Sequence, residues 1–215
     1  MGFPTEIENL LKIGSGIFWS LTYLLIIWRG FKDRTFGMPL AALCANISWE
    51  FLFSFVYPHK PPQLYINFVW FFLDVVIVFQ FLYFGRHAFD TLLPKGSIYF
   101  FFVLSLLISF FLVLGITLEF KDWDGAYTAF GQNLMMSILF VMMLRSRNSL
   151  SGQSIYIAIF KMLGTLLPSI MFHASHPSSF LLNSIYIFIF IFDLIYVVML
   201  YAKHKELGIQ PWQRF

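Results

Sequence analysis

Four ionisable side chains sit deep inside apolar runs: Glu50 within "ANISWEFLFSF" (45–55), Asp74, Lys161 and Asp193. At the centre of a membrane-spanning helix such a group costs roughly 2.5–3.5 kcal/mol on insertion scales, which makes each a functional candidate by default. Three acids and one base do not balance. At most one carboxylate can pair fully with Lys161, Asp74 being one candidate, so another must find hydrogen-bond donors or keep its proton, because low dielectric disfavours the anion. A carboxylic acid kept neutral beside a dry cavity can serve as a general acid.

Helical spacing gives these groups neighbours. Asn46 precedes Glu50 by four residues and shares its face, with Trp49 on the flank. Asn67, Trp70 and Asp74 share a second face, and Tyr186, Phe190, Asp193 and Val197 a third. Gln132 and Asn133 fall in one further run, and Lys161 with Thr165 in another. Polar groups from five helices predict a shared central pocket. The plainer reading is hydrogen-bonding between helices, which buried Asn, Gln and Asp commonly provide in membranes. Trp49, Trp70 and Tyr186, on the polar faces, are the aromatic rings placed to stabilise a cation, while most other rings face lipid.

The elements that must position these groups are helices. The chain has 215 residues, of which 59% are hydrophobic and only 12% charged, with 29 Phe, too few polar residues to cover a soluble domain. Apolar runs long enough to cross a hydrocarbon layer of ~30 Å lie at about 13–28, 37–57, 64–84, 97–118, 125–144, 154–173 and 180–201. The expected fold is therefore all-α, a bundle of seven transmembrane helices forming one integral membrane domain over 1–215. The first run follows an acidic segment (Glu6, Glu8) without a small-x-small cleavage site and reads as a retained helix. Arg29, Lys32, Arg34, Arg86, Lys95, Arg145, Arg147, Lys203, Lys205 and Arg214 fall on one side, against Lys12, Lys60 and Lys121 on the other. The positive-inside rule then puts the N-terminus outside and the C-terminus in the cytoplasm. The net charge of +3 is accounted for by topology, with no call for nucleic-acid binding, and a single Cys, Cys44, excludes an internal disulfide framework.

"FLDVVIVFQFLYFGR" (72–86) and "IFDLIYVVMLYAKHK" (191–205) resemble each other faintly and suggest a 3+1+3 pseudo-repeat. "DWDG" (122–125) reads as a solvated loop, and "HASH" (173–176) offers two His with no carboxylate or Cys close in sequence, a poor metal signal.

Several stretches together resemble a known family. "GMPLAALCANISWEFLFSFVYP" (37–58), "FFLDVVIVFQFLYFG" (71–85), "GQNLMMSILFVMML" (131–144) and "GQSIYIAIFKMLGTLLPS" (152–169), followed by an Asp in the last helix, are similar to the small seven-helix integral-membrane terpene cyclases of fungal meroterpenoid and indole-diterpene pathways and their bacterial relatives. The resemblance covers nearly the whole chain, with "SWEF" its most specific part. It implies a proton-initiated cyclisation needing no metal and no cofactor: an epoxide or alkene on a prenylated aromatic or indole substrate is protonated, and the cation runs through ring closures until a proton is lost. The family's two intramembrane acids map onto Glu50 and Asp193, expected as a coupled acid pair, one donating and the other tuning or relaying. Asn46, Trp49, Trp70, Asp74, Asn133, Lys161 and Tyr186 are supporting candidates. The implied partners are a prenylated substrate, plain or epoxidised, and membrane lipid, with a prenyltransferase and an epoxidase upstream. The implied membrane is the endoplasmic reticulum in a eukaryote or the cytoplasmic membrane in a bacterium.

A second class fits the intramembrane acids and the faint repeat: a small seven-helix metabolite or sugar transporter using Glu50 and Asp193 for coupling. Against it, the spans lack the paired Gly/Pro interruptions that mark a midplane transport site.

Overall fold

The computed structural model describes residues 2–90 and 94–215, and the side chains of all of these except 87–90. Its helices are α1 (Thr5–Asp33), α2 (Leu40–Phe51), α3 (Gln63–Asp90), α4 (Ser97–Phe120), α5 (Ala126–Arg147), α6 (Ile155–Ser175) and α7 (Phe180–Glu206), with a short 3₁₀ turn at Pro211–Gln213. Six of these are long and apolar enough to cross a membrane. The second is different. The expected span 37–57 starts only after Pro39, which caps the helix with its fixed φ of −62°, and it turns π-helical at Leu52–Val56. The apolar helix Leu40–Val56, 17 residues long, reaches about 25 Å at 1.5 Å each, short of the hydrocarbon thickness.

That short rod lies at the centre of the bundle, packed on α3, α4 and α5. Ala42, Leu43, Cys44, Leu52 and Phe53 are fully buried there. By contrast α4 turns most of its large apolar side chains outward, Phe100, Val103, Leu107, Phe111 and Leu112 among them. In an apolar surrounding this costs nothing, which explains a chain so rich in Phe.

The most extensive pairing is α1 on α6. A Cβ on Gly164 would come within 2.8 Å of the Trp19 ring, so only glycine lets the two axes approach. Four residues later Pro168 stands inside α6 without an N–H, leaving the Gly164 carbonyl without its helical donor. Ser15 Oγ of α1 supplies one at 2.7 Å. Trp19 is thereby fixed on the inner face of α1.

Successive helices alternate in direction, so the bundle has two ends. At the end where α1 finishes, Asp33 accepts from Gly152 N (2.8 Å) and Arg214 Nη2 (2.7 Å) and pairs with Arg29, which also donates to the Phe215 carbonyl (2.9 Å). The C-terminal segment is stitched across this end, with Phe215 stacked on Tyr156. The opposite end, formed by the start of α1 and the loops 57–62, 121–125 and 176–179, is open.

Within that open end "DWDG" is a solvated loop only in part, with Trp123 and Asp124 exposed. Asp122 is buried, and its carboxylate accepts from Thr128 N (3.0 Å) and Thr128 Oγ1 (3.1 Å), satisfying donors that the first turn of α5 would leave free. Gly125 has φ +63°, and a Cβ there would meet Phe53 Cε2 at 2.7 Å and Trp49 Nε1 at 2.8 Å. Gly125→Ala is therefore expected to destabilise by about 2 kcal/mol or more, from left-handed strain of roughly 1–2 kcal/mol plus displacement of both rings. The midpoint of thermal unfolding in detergent measures this.

Candidate active site

A cavity of about 630 Å³ opens at that end and runs inward. It is lined along α1 from Glu8 to Tyr23, a depth of about 22 Å at 1.5 Å per residue. Its walls are Trp19, Trp49, Trp70, Phe130 and Phe172, with Met136 and Met171 filling between them. Trp19 and Tyr23 meet edge-on at 5.6 Å, and Tyr23 and Trp70 at 6.5 Å. Their π faces suit a travelling positive charge.

Glu50 lines the deep part of this cavity, with Asn46 and Tyr23. Tyr23 OH donates to Glu50 Oε1 at 3.0 Å, and Asn46 Nδ2 donates to Tyr23 OH at 2.5 Å. Glu50 Oε2 is buried without a hydrogen-bond partner among the described residues. Behind it lies Asp74, fully buried, its carboxyl against Glu50 and Asn46 but short of standard hydrogen-bond geometry with either. Among the described residues neither carboxyl has an ion pair. Two carboxyl groups in contact without a cation, away from water, hold a proton between them, since like charges so close cannot both persist.

The expected single polar pocket is in fact two clusters. Lys161 pairs with Asp193 (Nζ to Oδ1 2.6 Å) and not with Asp74, and its other donors go to Ser137 Oγ (2.7 Å) and Asn133 Oδ1 (3.3 Å). Asn133 Nδ2 in turn donates to Thr165 Oγ1 at 2.8 Å. All three ammonium hydrogens have acceptors. This cluster joins α5, α6 and α7 behind the cavity wall: Asn133 lines the cavity, but Lys161 and Asp193 do not. Lys161 Nζ lies 5.8 Å from the Trp19 ring centroid. Glu50 and Asp193, expected as a coupled pair, thus have separate partners. The two aspartates matched in the faint repeat also differ, Asp74 meeting carboxyl and amide groups and Asp193 a cation.

Trp49 and Trp70 stand in the cavity wall, and Trp49 Nε1 donates to the Gly125 carbonyl (3.1 Å) and Thr128 Oγ1 (3.2 Å), tying α2 to the start of α5. Tyr186 does not line the cavity; it packs on Phe130 at 4.5 Å. Phe190, predicted on the same polar face, is 42% exposed, because the buried face of α7 runs through Tyr186, Ile189, Asp193 and Tyr196 and Phe190 lies to its side. His173 and His176 of "HASH" sit at the end of α6, His173 Nδ1 being 2.8 Å from Asn183 Oδ1.

Sequence reasoning missed Tyr23 and His59. Tyr23 carried a weak signal, its spacing of four from Trp19. His59 carried none, because its placement depends on the π turn: His59 N donates to the Phe53 carbonyl at 3.1 Å and the imidazole stacks on Phe53 at 4.6 Å. It lies in the loop outside the spans, and burial lowers its pKa from the ordinary 6.5, against the opposing pull of Asp124. Below that value the unfolded chain binds a proton that the folded one resists, so stability is complete above pH 6.5 and falls as pH drops beneath it. The midpoint of thermal unfolding should decline from about pH 7.5 to about 5.5, and less so in His59→Gln.

Known proteins add the family. A family model for Pyr4-like transmembrane terpene cyclases matches residues 3–206. The chain is 32% identical over 194 residues to the Pyr4-family terpene cyclase mfmH of Annulohypoxylon moriforme, covering 87% of this chain and 80% of that one. It is 29% identical to asnovolin H synthase nvfL of Aspergillus novofumigatus (79% and 71% covered) and 31% identical to terpene cyclase macJ of Penicillium terrestre (71% and 61%). No solved structure matches. The transporter reading has no support among these relatives.

Proposed function

We propose that this chain, which belongs to the Pyr4-like transmembrane terpene cyclases, starts ring closure with a proton from Glu50. The protein is a membrane terpene cyclase; the proposal concerns how it works. The observation that carries the reading is the Glu50–Asp74 contact, without a cation, at the deep end of an aromatic cavity.

Glu50 Oε2–H delivers its proton to an epoxide oxygen, or to the terminal alkene, of a prenyl chain threaded inward. With an epoxide the C–O bond breaks at the more substituted carbon, leaving a hydroxyl and a tertiary cation. Successive alkenes then attack, each forming a carbon–carbon bond and passing the charge along the aromatic wall. The last cation loses a proton to give an alkene or closes onto a ring oxygen that loses its proton. One proton enters and one leaves, so the product is an isomer of the substrate. In the interval the Glu50 anion is held by the Tyr23 hydroxyl and balanced by the substrate cation, and the proton that the last cation releases returns to the Glu50–Asp74 pair. No metal takes part in this scheme.

Asp193 is assigned a supporting role: it neutralises Lys161 behind Trp19 and keeps Asn133 in the wall. The finer architecture belongs to the same proposal: α2 completes seven spans in one domain, the N-terminus faces out, and the membrane is the endoplasmic reticulum if the organism is eukaryotic or the cytoplasmic membrane if bacterial. A prenyltransferase and an epoxidase supply the substrate.

The test is mass-spectrometric product analysis of membranes given epoxy-prenylated phenols and indoles, with wild type beside Glu50→Gln. A cyclised isomer of unchanged mass made by wild type alone supports the reading. Equal product from Glu50→Gln, or none from folded wild type on any substrate, overturns it.

A further inference from the structure

We propose that His59, with Lys12, forms a subsite at the cavity mouth for an acceptor oxygen on the ring system that carries the prenyl chain. The inference rests on the reading above in one respect: the reacting end of the chain lies deep, at Glu50, so the head group stays near the mouth, where His59 and Lys12 line the cavity.

The tautomer of His59 follows from its neighbours. Asn67 Nδ2 lies 3.1 Å from the Phe53 carbonyl, which can only accept, so that atom is the amide nitrogen. The same nitrogen lies 3.0 Å from His59 Nδ1, and Asn67 Oδ1 accepts from Gln63 Nε2 at 2.8 Å. Asn67 therefore spends one hydrogen on Phe53 and the other on His59, Nδ1 is an acceptor, and Nε2 carries the hydrogen of the neutral ring. That Nε2–H is buried and has no hydrogen-bond partner among the described residues; the Trp123 carbonyl is near but misses bonding geometry. The imidazole cannot turn to find one, being stacked on Phe53 and 5.6 Å from the Trp49 ring. A fixed and unsatisfied donor at the cavity wall is costly to keep unless a ligand completes it.

Donor chemistry defines the ligand. Charge around His59 is mixed, Asp124 acting on it more strongly than Lys12 and Asp122 adding to Asp124, but Lys12 lines the same cavity and has no ion pair among the described residues. A fixed N–H and an ammonium both donate, so they favour an oxygen that accepts: a ring carbonyl, an enol or a phenol. An indole N–H, itself a donor, leaves His59 unsatisfied. The geometry points to an oxygenated ring, not an indole, as the head group.

The experiment removes the contact from both sides. Binding is followed by tryptophan fluorescence in the non-turning-over Glu50→Gln protein and in Glu50→Gln/His59→Phe, which keeps an aromatic ring over Phe53. The probes are an epoxy-prenylated hydroxyaryl ketone and its deoxy analogue, and thermal unfolding confirms that both proteins are folded. Deleting the oxygens should weaken binding about tenfold with His59 present and leave it unchanged in the His59→Phe background, where the donor is gone. A His59→Gln version, which restores an N–H, should recover part of the difference. Equal loss on both backgrounds, or tighter binding of a prenylated indole, overturns the subsite. Because binding is read without turnover, this result stands apart from the product analysis: an inactive wild type that still discriminates the two probes sinks the cyclisation scheme and keeps the subsite.

Discussion

Replacing Glu50 by Gln lowers turnover by about 10²–10⁴-fold, the span that a positioned general acid contributes, and leaves the protein folded. The fold survives because the amide keeps the acceptor at Oε1 that Tyr23 OH reaches at 3.0 Å, and it places its NH₂ where Oε2 had no hydrogen-bond partner among the described residues. Only the transferable proton is gone. Asp74→Asn removes the second carboxyl but leaves Glu50 able to donate once, so its loss is smaller, about tenfold to a hundredfold, and is expressed in recovery between turnovers. Tyr23→Phe takes the hydroxyl from the Glu50 anion and the acceptor from Asn46 together, with a loss between the other two. Initial rates by mass spectrometry, beside thermal unfolding of each variant, measure the series. A Glu50→Gln enzyme within about threefold of wild type shows that the proton comes from elsewhere.

This site was half legible in the sequence. An apolar run that tolerates Glu50 must compensate for it, and the four-residue step from Asn46 put an amide on the correct face. Helix existence was equally plain, since runs of such hydropathy have no other stable form in lipid. Pairing was not. One cation, Lys161, could have met any of three acids, and the choice was made by which helices touch: α6 and α7 lie together, while Asp74 faces α2. The shortness of α2 and its π turn were also hidden, because Leu52–Val56 is as apolar as the α-helix before it and only its hydrogen bonding differs. His59 and Gly125 depend on that turn and on a left-handed loop, which leave no periodic trace. Asp122 looks solvated in sequence because helix capping and solvation ask for the same residue type.

Asp193→Asn is expected to cost both stability and rate, and the two losses separate in a double variant. Lys161 and Asp193 are almost wholly buried, and removing one partner of such a pair costs about 3–5 kcal/mol, because the other charge is left uncompensated. In the enzyme that charge is a cation behind Trp19, whose ring lines the cavity. A unit charge about 10 Å from a developing carbocation opposes it by about 1.7 kcal/mol at an effective dielectric of about 20, roughly fifteen- to twentyfold in rate. Lys161→Met/Asp193→Leu removes both charges and restores apolar packing, so it should recover most of the stability lost in Asp193→Asn and a good part of its rate. The rate does not return fully, because Asn133 and Ser137 lose the ammonium that both accept from. Unfolding midpoints and kcat for Lys161→Met, Asp193→Leu and the double form the cycle, with Asp193→Asn beside them. If Asp193 instead exchanges a proton with substrate, the double variant is as inactive as Asp193→Asn whatever its stability, and the assignment of Asp193 to neutralising Lys161 fails.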